Sequence, residues 1–498
     1  MVTINISLRV ENPHLVIPVL LVEDLIGQID QGLKTVVQPI IDDNSFEGKH
    51  GQVYTTHVAN ESYTRLTLVG IGNPADLTIE QTRRAFGYLG DHLRGSKRTD
   101  ISIDCAFLTT VDNVQTYCEA LIEGLLLGNY RFDQLKTNDK KKNPPLKSVN
   151  LVLGSEWHDQ VESAIQYSLA TTQGTVLARD LGNKPSNIAT PAHLAEEALK
   201  LSELGLVITV LEADDIQKER MGLFWATAKA SADHDPPKFI IMDYTPPNPQ
   251  KTLCLVGKGI TFDTGGITLK PGAAMGEMIY DMCGAGAVIG AMKTIALLKP
   301  QNIRVVGLVP STPNMPGGGA YRPGDILTSR SGKTVEIIST DAEGRHLLAD
   351  ALDYAKKYQP DLVFDFATLT GSVVVGLGHF NAGFFINKEA EDLEGLNQLI
   401  FKTGRQTGDW VWQLPLDNDY LVQLRSNHAD LKHSGGRPGG TITAAMFLSQ
   451  FTAYPWVHFD IAGTGWSNSK RFAKHYLSHM GATGFGVRLV SEFIRQWS

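Results

Sequence analysis

Residues 252–266 read TLCLVGKGITFDTGG, an apolar run that passes directly into a glycine-rich polar loop. The run Thr252–Val256 has the length and composition of a buried strand. Lys258 and Asp263 follow the end of that strand, among glycines that allow close approach of the backbone. Because ligands of open α/β sheets bind at the carboxyl ends of strands, this stretch predicts a sheet strand that leads into a polar site.

The rest of the second half alternates between strand-like and helical runs, as α/β sheets do. Further strands are predicted at Val207–Leu211, Phe239–Asp243, Ile303–Pro310 and Leu362–Phe366. Helices are predicted at Gly284–Leu298 and Gly344–Tyr358, where apolar residues recur at helical spacing. This alternation favours a mixed, largely parallel sheet flanked by helices on both faces.

The chain of 498 residues is too long for one ordinary hydrophobic core. Its N-terminal part has strand-like runs of its own, at Val2–Leu8, Thr64–Ile71, Ile101–Phe107 and Val149–Leu153. Helical spacing lies between them, at Leu25–Val37 and Ile79–Leu93. We therefore predict an α/β protein of two domains, with a smaller N-terminal α/β domain (1–157), a linker helix (158–182) and a larger C-terminal α/β domain (183–498).

The composition is that of a soluble globular protein, with 42% hydrophobic and 20% charged residues. The formal net charge of −8 gives no electrostatic argument for nucleic-acid binding by the whole chain. One loop, Thr137–Pro145, contains a run of lysines, which we interpret as solvated rather than as an anion-binding site.

The four cysteines are widely separated and form no Cys-x-x-Cys pair, which excludes a disulfide framework and a thiolate zinc site. The first residues lack a basic stretch, and the apolar run Leu15–Ile26 is interrupted by Pro18, Glu23 and Asp24. Neither a signal peptide nor a membrane span is therefore expected. These features predict a cytoplasmic protein.

Charged residues are concentrated in three segments of the second half. They comprise Lys258, Asp263, Lys270, Asp281, Asp341, Glu343 and Arg345. Four carboxylates in one partly dry pocket would repel one another, and two divalent cations would balance their charge. Oxygen-rich sites of this kind suit Mn²⁺, Mg²⁺ or Zn²⁺. If residues 341–345 were extended, the side chains of Asp341, Glu343 and Arg345 would point to one face.

The segment Ser339–Arg345 resembles the Asn-Thr-Asp-Ala-Glu-Gly-Arg signature of the leucine aminopeptidase family of two-metal exopeptidases. The upstream pattern Val-Gly-Lys-Gly-x-Thr-Phe-Asp-x-Gly-Gly and its spacing to Asp281 are similar to that family as well. Further matching segments are Ala367–Gly371, Gly435–Gly440 and Asp460–Thr464. The resemblance is good over residues 175–495 and weak over the first 150. Ser339 replaces the signature's Asn, which is not one of the family's metal ligands.

The resemblance implies how the metals would be held. Asp263 and Glu343 would bridge two divalent ions, Mn or Zn, Lys258 and Asp281 would complete one site, and Asp341 would complete the other. A lysine ligand must be a neutral amine, so the pKa of Lys258 would have to fall below its usual value of about 10.4 under the influence of the adjacent dication.

The same resemblance implies a leucyl-type aminopeptidase that removes N-terminal residues from peptides, with a metal-bound water as the nucleophile. Lys270 would contact the substrate and stabilise the oxyanion, and Arg345 would hold a bicarbonate that acts as general base. Met278, Thr368 and Gly371 would line the pocket for the substrate side chain. The family also implies a homohexamer built as a dimer of trimers.

Three alternatives remain at this stage. Some relatives bind DNA, so a DNA-binding regulator is one, although the acidic balance disfavours it. An inactive protein that keeps the fold is another, but it would be expected to have lost some of the seven charged positions. The third alternative is a phosphoesterase that uses the same two-metal mechanism.

Overall fold

The computed structural model describes residues 2–29, 31–59, 62–138, 143–387, 389, 392–469, 474, 476–477 and 480–497. The chain divides into two compact units, unit 1 (residues 1–172 and 473–479) and unit 2 (residues 173–472 and 480–498). The division falls inside the long helix that was predicted at 158–182, and the predicted domain boundaries stay predictions. Part of the lysine-containing loop lies outside the described residues.

Unit 1 is built on a six-stranded sheet of order β1-β6-β5-β2-β4-β3. Its strands are β1 (Thr3–Ser7), β2 (His14–Val19), β3 (Val53–His57), β4 (Arg65–Gly70), β5 (Asp100–Asp104) and β6 (Ser148–Val152). Its helices are α1 (Val22–Gln28), α2 (Gln31–Asp42), α3 (Ile79–Gly95), α4 (Val114–Gly128) and the first part of α5 (His158–Asn183). All strand pairs are parallel except β3 with β4.

Alternate strand residues cover both faces of this sheet. Val16 packs with α3 and α4, whereas its neighbours Leu15 and Ile17 pack with α1 and α2. Helix α3 begins at a capping box in which Thr78 and Gln81 exchange hydrogen bonds. The prediction of one helix at Leu25–Val37 was wrong, because α1 ends before α2 begins at Gln31.

Unit 2 contains a nine-stranded mixed sheet in which the order β16-β15-β18-β14-β9-β11-β8-β7 is joined by β10, which pairs with β11. The main strands are β7 (Val207–Leu211), β8 (Lys238–Tyr244), β9 (Lys251–Gly257), β10 (Gly259–Asp263), β11 (Ile303–Asn314), β14 (Leu362–Ala367), β15 (Ala382–Ile386), β16 (Val411–Gln413) and β18 (Trp456–Asp460). Short strands outside it are β12 (Ile326–Thr328), β13 (Thr334–Glu336), β17 (Leu431–Lys432), β19 (Trp466–Ser467) and β20 (Gly481–Ala482).

Helices cover both faces of this larger sheet. They are α6 (Pro191–Leu199), α7 (Ala213–Lys218), α8 (Gly222–Ala228), α9 (Gly272–Met275), α10 (Cys283–Leu298), α11 (Gly344–Ala355), α12 (Gly371–Leu377), α13 (Leu393–Thr407), α14 (Gly440–Ser449) and α15 (Val487–Trp497). One apolar core joins α6, α10, α13 and α15 to one face, and a second joins α8, α11 and α14 to the other. The stretch 276–298 is long and apolar enough to cross a membrane by composition alone, but most of it is buried within the protein, as expected of a core helix.

The central strands place their carboxyl ends side by side. Strands β9 and β14 are parallel, with Gly257 opposite Phe366, and the amide of Lys258 donates to the carbonyl of Phe366 at 3.0 Å. The loops that follow these strands therefore begin next to each other, as the sequence analysis expected of an α/β sheet.

Candidate metal centre

Five residues predicted as metal ligands come together at this edge of the sheet. Lys258 follows β9, Asp263 ends β10, Asp281 lies in the 3₁₀ turn Gly276–Met282, and Asp341 and Glu343 precede α11. One ligand oxygen from each of Asp263, Asp341 and Glu343 lies within 4.8 Å of the others. Asp281 joins this group through Lys258, which contacts both Asp281 and Glu343.

The carboxylate of Asp263 is fixed by β11. Strand β10 changes register between Ile260 and Asp263, and it ends opposite Asn314. The side-chain amide of Asn314 donates to Oδ1 of Asp263 at 2.8 Å and to Oε2 of Glu343 at 3.3 Å. Sequence reasoning missed Asn314, and its one signal was a polar residue at the carboxyl end of a strand.

Residues 341–345 are not extended, and the helix predicted from Gly344 is present. Residues 340–341 form a turn and α11 starts at Gly344, so Arg345 lies on a helix. The hydroxyl of Thr340 donates to the carbonyl of Gly265 at 2.6 Å and accepts the amide of Thr268 at 2.8 Å. Because these bonds tie the segment to the loop after β10, they hold it as a turn rather than as a strand.

Glycine is required where these loops cross. A Cβ at Gly344 would lie 2.4 Å from Cε of Lys258, so only glycine lets the lysine pass over the start of α11. Gly265 has φ +85°, and a Cβ there would lie 2.4 Å from the carbonyl oxygen of Thr268. Both glycines allow the ligand side chains to approach from different segments.

Lys258 is buried with acidic groups around its nitrogen. Its Nζ donates to Oδ1 of Asp281 at 2.8 Å and to the carbonyl of Thr368 at 3.0 Å, and lies 3.1 Å from Oε1 of Glu343. Burial acts to lower the pKa of Lys258, but the carboxylates outweigh it and raise that pKa above the ordinary value. The protein groups alone therefore favour the ammonium form, and a neutral amine would require an adjacent dication.

Lys270 occupies the other side of the cluster. Its Nζ lies 2.7 Å from Oδ2 of Asp263 and also contacts Asp341. Burial opposes the charge, yet the field of Asp263 and Glu343 raises the pKa of Lys270 above its usual range. It is accordingly a cation at neutral pH.

Burial and the neighbouring charges shift the pKa values of the four carboxyl groups. Burial, and then repulsion from Glu343, raises the pKa of Asp263 to about 6. Burial raises the pKa of Asp281 to about 8 against the opposing effect of Lys258, and burial also raises the pKa of Asp341. Burial acts in the same sense on Glu343, but Lys258 and Lys270 outweigh it and lower that pKa.

The donor set fits divalent cations. Carboxylate oxygens from Asp263, Asp341 and Glu343 lie together, and Oδ2 of the nearby Asp281 is buried with no hydrogen-bond partner among the described residues. An acceptor atom without a donor is costly in a buried site unless a cation or a proton satisfies it. Oxygen ligands with one amine suit Mn²⁺ or Zn²⁺.

Arg345 projects from the first turn of α11 and is only 6% exposed. Its Nη1 donates to the carbonyl of His433 at 2.7 Å. Burial lowers the pKa of Arg345 to about 10, which leaves it a cation at neutral pH. The ring of His433 packs against that of His346, with centroids 4.9 Å apart, and sequence reasoning did not single out His433.

The three residues predicted for a substrate pocket lie on segments around the cluster. Met278 is half-buried in the 3₁₀ turn that carries Asp281, and the hydroxyl of Thr368 donates to Oδ1 of Asp281 at 2.7 Å. Gly371 starts α12, and a Cβ there would meet no described atom within 4 Å. The space in front of Gly371 is open to a bound molecule.

Two family models match this chain. The catalytic-domain model of the cytosol aminopeptidase family matches residues 176–491, and the N-terminal-domain model of the same family matches residues 19–139. The chain belongs to the cytosol aminopeptidase family. The match includes every segment of the carboxylate cluster, and the predicted resemblance to leucine aminopeptidases is confirmed.

Relatives within the cytosol aminopeptidase family are similar over nearly the whole chain. A protein of Aromatoleum aromaticum described as a probable cytosol aminopeptidase is 42% identical over 479 residues, which cover 95% of this chain and 92% of that protein. A protein of Burkholderia pseudomallei with the same description is 40% identical over 471 residues, which cover 94% and 90%.

Solved structures of related proteins are also similar over nearly the whole chain. The bottromycin maturation enzyme BotP in complex with Mn has a TM-score of 0.84 at 30% identity, covering 97% of this chain and 99% of that one. A mutant of tomato leucine aminopeptidase has a TM-score of 0.85 at 29% identity, covering 100% and 97%. The predicted α/β fold with an N-terminal and a catalytic domain is confirmed, and the protein is a metallo-aminopeptidase.

Proposed function

We propose that this cytosol aminopeptidase family member is a leucyl-type aminopeptidase that uses two divalent ions to release N-terminal residues from peptides. The observation that carries the proposal is the convergence of Asp263, Asp341 and Glu343 within 4.8 Å, beside a buried Lys258–Asp281 pair. Such a set of oxygen and amine donors in a metal-dependent peptidase family supports a two-ion centre.

In this proposal Asp263 and Glu343 would contribute to both ion sites, Lys258 and Asp281 would complete one of them, and Asp341 would complete the other. When bound, the ions would polarise the scissile carbonyl and lower the pKa of a water nucleophile. The positive charge of the ions would oppose the burial, and the smaller repulsion between carboxylates, that raise the pKa values of Asp263 and Asp281.

Lys270 supplies positive charge where negative charge develops. Its ammonium group is held beside the carboxylates, and it remains charged because those carboxylates raise its pKa. A fixed cation at this position stabilises the oxyanion of a tetrahedral intermediate better than water does, because it needs no reorganisation. Lys270 also contacts the substrate in this account.

Arg345 holds a planar anion, for which bicarbonate is our candidate. Its guanidinium is buried and charged, and Nε has no hydrogen-bond partner in the described part of the chain. A guanidinium fork matches a carboxylate-like anion with two parallel hydrogen bonds. Bicarbonate bound there would act as the general base that accepts a proton from the nucleophilic water.

Met278, Thr368 and Gly371 would receive the side chain of the N-terminal residue. The open space at Gly371 and the thioether of Met278 suit an aliphatic group. Binding of the free α-amine at the metal centre would explain why the first residue is removed.

Three further features of the proposal rest on the family resemblance: the metal, the oligomeric state and the location. Manganese is our first candidate for the native metal, in line with the Mn complex of BotP, and zinc is the second. We also propose a homohexamer made of two trimers and a cytoplasmic location, which accords with the description of the relatives as cytosol aminopeptidases. DNA binding is not part of the proposal, because the net charge of −8 disfavours it.

The test is metal analysis of the purified protein together with activity before and after chelation. We expect two ions per chain, loss of leucine p-nitroanilide hydrolysis on chelation, and recovery when Mn²⁺, Zn²⁺ or Co²⁺ is added. A panel of aminoacyl p-nitroanilides then defines the preferred N-terminal residue. Hydrolysis of p-nitrophenyl phosphate instead of the anilides would favour a phosphoesterase and reject the proposal.

A further inference from the structure

We propose that His433 is a positioning residue for the metal centre. Its imidazole holds the backbone that leads into Asp341, and its carbonyl orients Arg345. The inference rests on the proposed function, since it concerns how the same centre is assembled. It concerns a residue outside the signature segment, on the chain just after β17.

The ring of His433 is fully buried and bridges the segment between β13 and the signature. Nε2 of His433 lies 2.8 Å from the carbonyl oxygen of Ser339, and Nδ1 accepts a hydrogen bond from the amide of Ile338 at 3.1 Å. Burial, followed by repulsion from Arg345, lowers the pKa of His433 to about 4, so the ring is neutral at pH 7. Nδ1 lies 3.2 Å from the carbonyl oxygen of Glu336 but already accepts the amide of Ile338, whereas Nε2 faces the carbonyl of Ser339, so Nε2 carries the proton and donates a hydrogen bond to that carbonyl.

Ser339 is therefore held on two sides. Its carbonyl accepts from His433, while its hydroxyl accepts the amide of Asp341 at 3.2 Å. Ser339 is the one position of the segment 339–345 that departs from the family signature, and its short side chain acts only within the turn. The imidazole adds a second connection from this turn to the body of unit 2, beside the hydrogen bonds that Thr340 makes to the loop after β10.

Asp341 depends on this support more than the other carboxylates do. Its side chain is 34% exposed, whereas those of Asp263 and Glu343 are 4% and 2% exposed. A ligand that packing does not fix is placed by its backbone, and the backbone of Asp341 is tied to Ser339. Loss of the His433 bond should therefore weaken one of the two ions selectively.

Arg345 is the second group that His433 positions. The hydrogen bond from Nη1 to the His433 carbonyl is the one that its guanidinium makes to the described residues. If the ring of His433 no longer anchored that residue, the carbonyl would move and the guanidinium would lose its orientation. The affinity for the anion held by Arg345 would then fall together with the affinity for the weaker ion.

The test compares variants of the full-length protein that keep or remove one hydrogen bond. His433→Gln keeps an amide nitrogen that reaches the position of Nε2, whereas His433→Asn reaches only the position of Nδ1, and His433→Leu keeps volume alone. His346→Leu is the matched control, because it alters the same ring packing while neither nitrogen of His346 has a partner among the described residues. Mn²⁺ titration calorimetry after chelation, melting temperature, and steady-state kinetics with leucine p-nitroanilide at varied bicarbonate are measured for each.

We expect His433→Leu and His433→Asn to bind the weaker Mn²⁺ about 10- to 100-fold less tightly, as is usual when a residue that orients a metal ligand is lost. Their kcat should fall with KM little changed, and the bicarbonate concentration for half-maximal activity should rise. His433→Gln and His346→Leu should match the wild type. If His433→Leu fails to fold, the comparison of His433→Asn with His433→Gln decides.

Wild-type Mn²⁺ affinity and kcat in His433→Asn, or an equal loss in His433→Gln, would overturn the inference. A melting temperature that falls without a change in Mn²⁺ affinity would also overturn it, because that result describes a structural role only. Failure of the proposed function is distinct from these outcomes, since the wild type itself would then bind fewer than two ions or hydrolyse no anilide.

Discussion

Nζ of Lys270 lies 2.7 Å from Oδ2 of Asp263, so a cation rests directly against a carboxylate proposed to contact both ions. The same ammonium group contacts Asp341. Lys270 thus neutralises part of the cluster, and in the proposed mechanism it would also contact the substrate. Its contribution to charge balance and its contribution to catalysis can be separated by experiment.

Lys270→Met should retain two ions and lose turnover. Removal of a competing cation leaves more negative charge for the metals, so their affinity should not fall, whereas kcat should drop by about 10²- to 10³-fold, as on loss of one oxyanion donor. Metal content by mass spectrometry and kcat for leucine p-nitroanilide check this prediction. Lys270→Arg, which keeps the charge, is the control, and loss of ions in Lys270→Met would contradict the assigned role.

Gly371→Val should change specificity without changing stability. A Cβ at Gly371 would meet no described atom within 4 Å, so the new side chain would project into the open space. The preference for leucine over alanine p-nitroanilide, measured as the ratio of kcat/KM values, should fall by about tenfold or more. Gly376→Val provides the comparison, since Gly376 lies on the same helix and is equally open. Equal effects of the two substitutions on this ratio would show that Gly371 does not line the substrate pocket.

Unit 1 should lose stability in mild acid because of His14. This residue is 2% exposed, its Nε2 lies 2.7 Å from Oγ1 of Thr67, and burial, aided by Arg98, Arg65 and His92, lowers its pKa from 6.5 to about 4. Between pH 6.5 and pH 4 the unfolded chain binds more protons, so this contribution is complete above pH 6.5 and is lost as the pH falls towards 4.

The linked loss amounts to about 2–3 kcal/mol between pH 7 and pH 4.5. Urea unfolding of metal-free protein at the two pH values measures it, and His14→Gln, which cannot titrate, should show a smaller decrease than the wild type. The same pH dependence in both proteins would mean that His14 is not the responsible group.

The sequence located the site because its strongest signals are local. Lys258 and Asp263 lie just after an apolar strand, and general rules for α/β sheets place such residues at a ligand-binding edge. Their neighbours along the chain were sufficient for the prediction. The same applies to α3, whose start is fixed by a capping box between Thr78 and Gln81, only three positions apart.

Other features depend on contacts between distant residues, which no local pattern reports. Asn314 and His433 support the site from segments that carry no motif, so they became visible only in the structure. The turn at residues 340–341 likewise depends on a distant contact, because the hydroxyl of Thr340 donates to the carbonyl of Gly265 in the loop after β10. Strand β2, which contains Pro18, was not predicted. In the structure β5 pairs with Leu15 and Val16 of β2, so Pro18 lies beyond the pairs with β5.

The central claim is that acidic side chains from separate segments hold two ions, and Glu343 tests it most directly. Its side chain is 2% exposed and contacts both Lys258 and Asn314. The decisive measurement is the number of Mn²⁺ ions bound per chain by wild type and Glu343→Ala after chelation, reconstitution and removal of free metal. Two ions in the wild type, and loss of ions together with leucine p-nitroanilide hydrolysis in the variant, are predicted. Two tightly bound ions and full activity in Glu343→Ala would contradict the account.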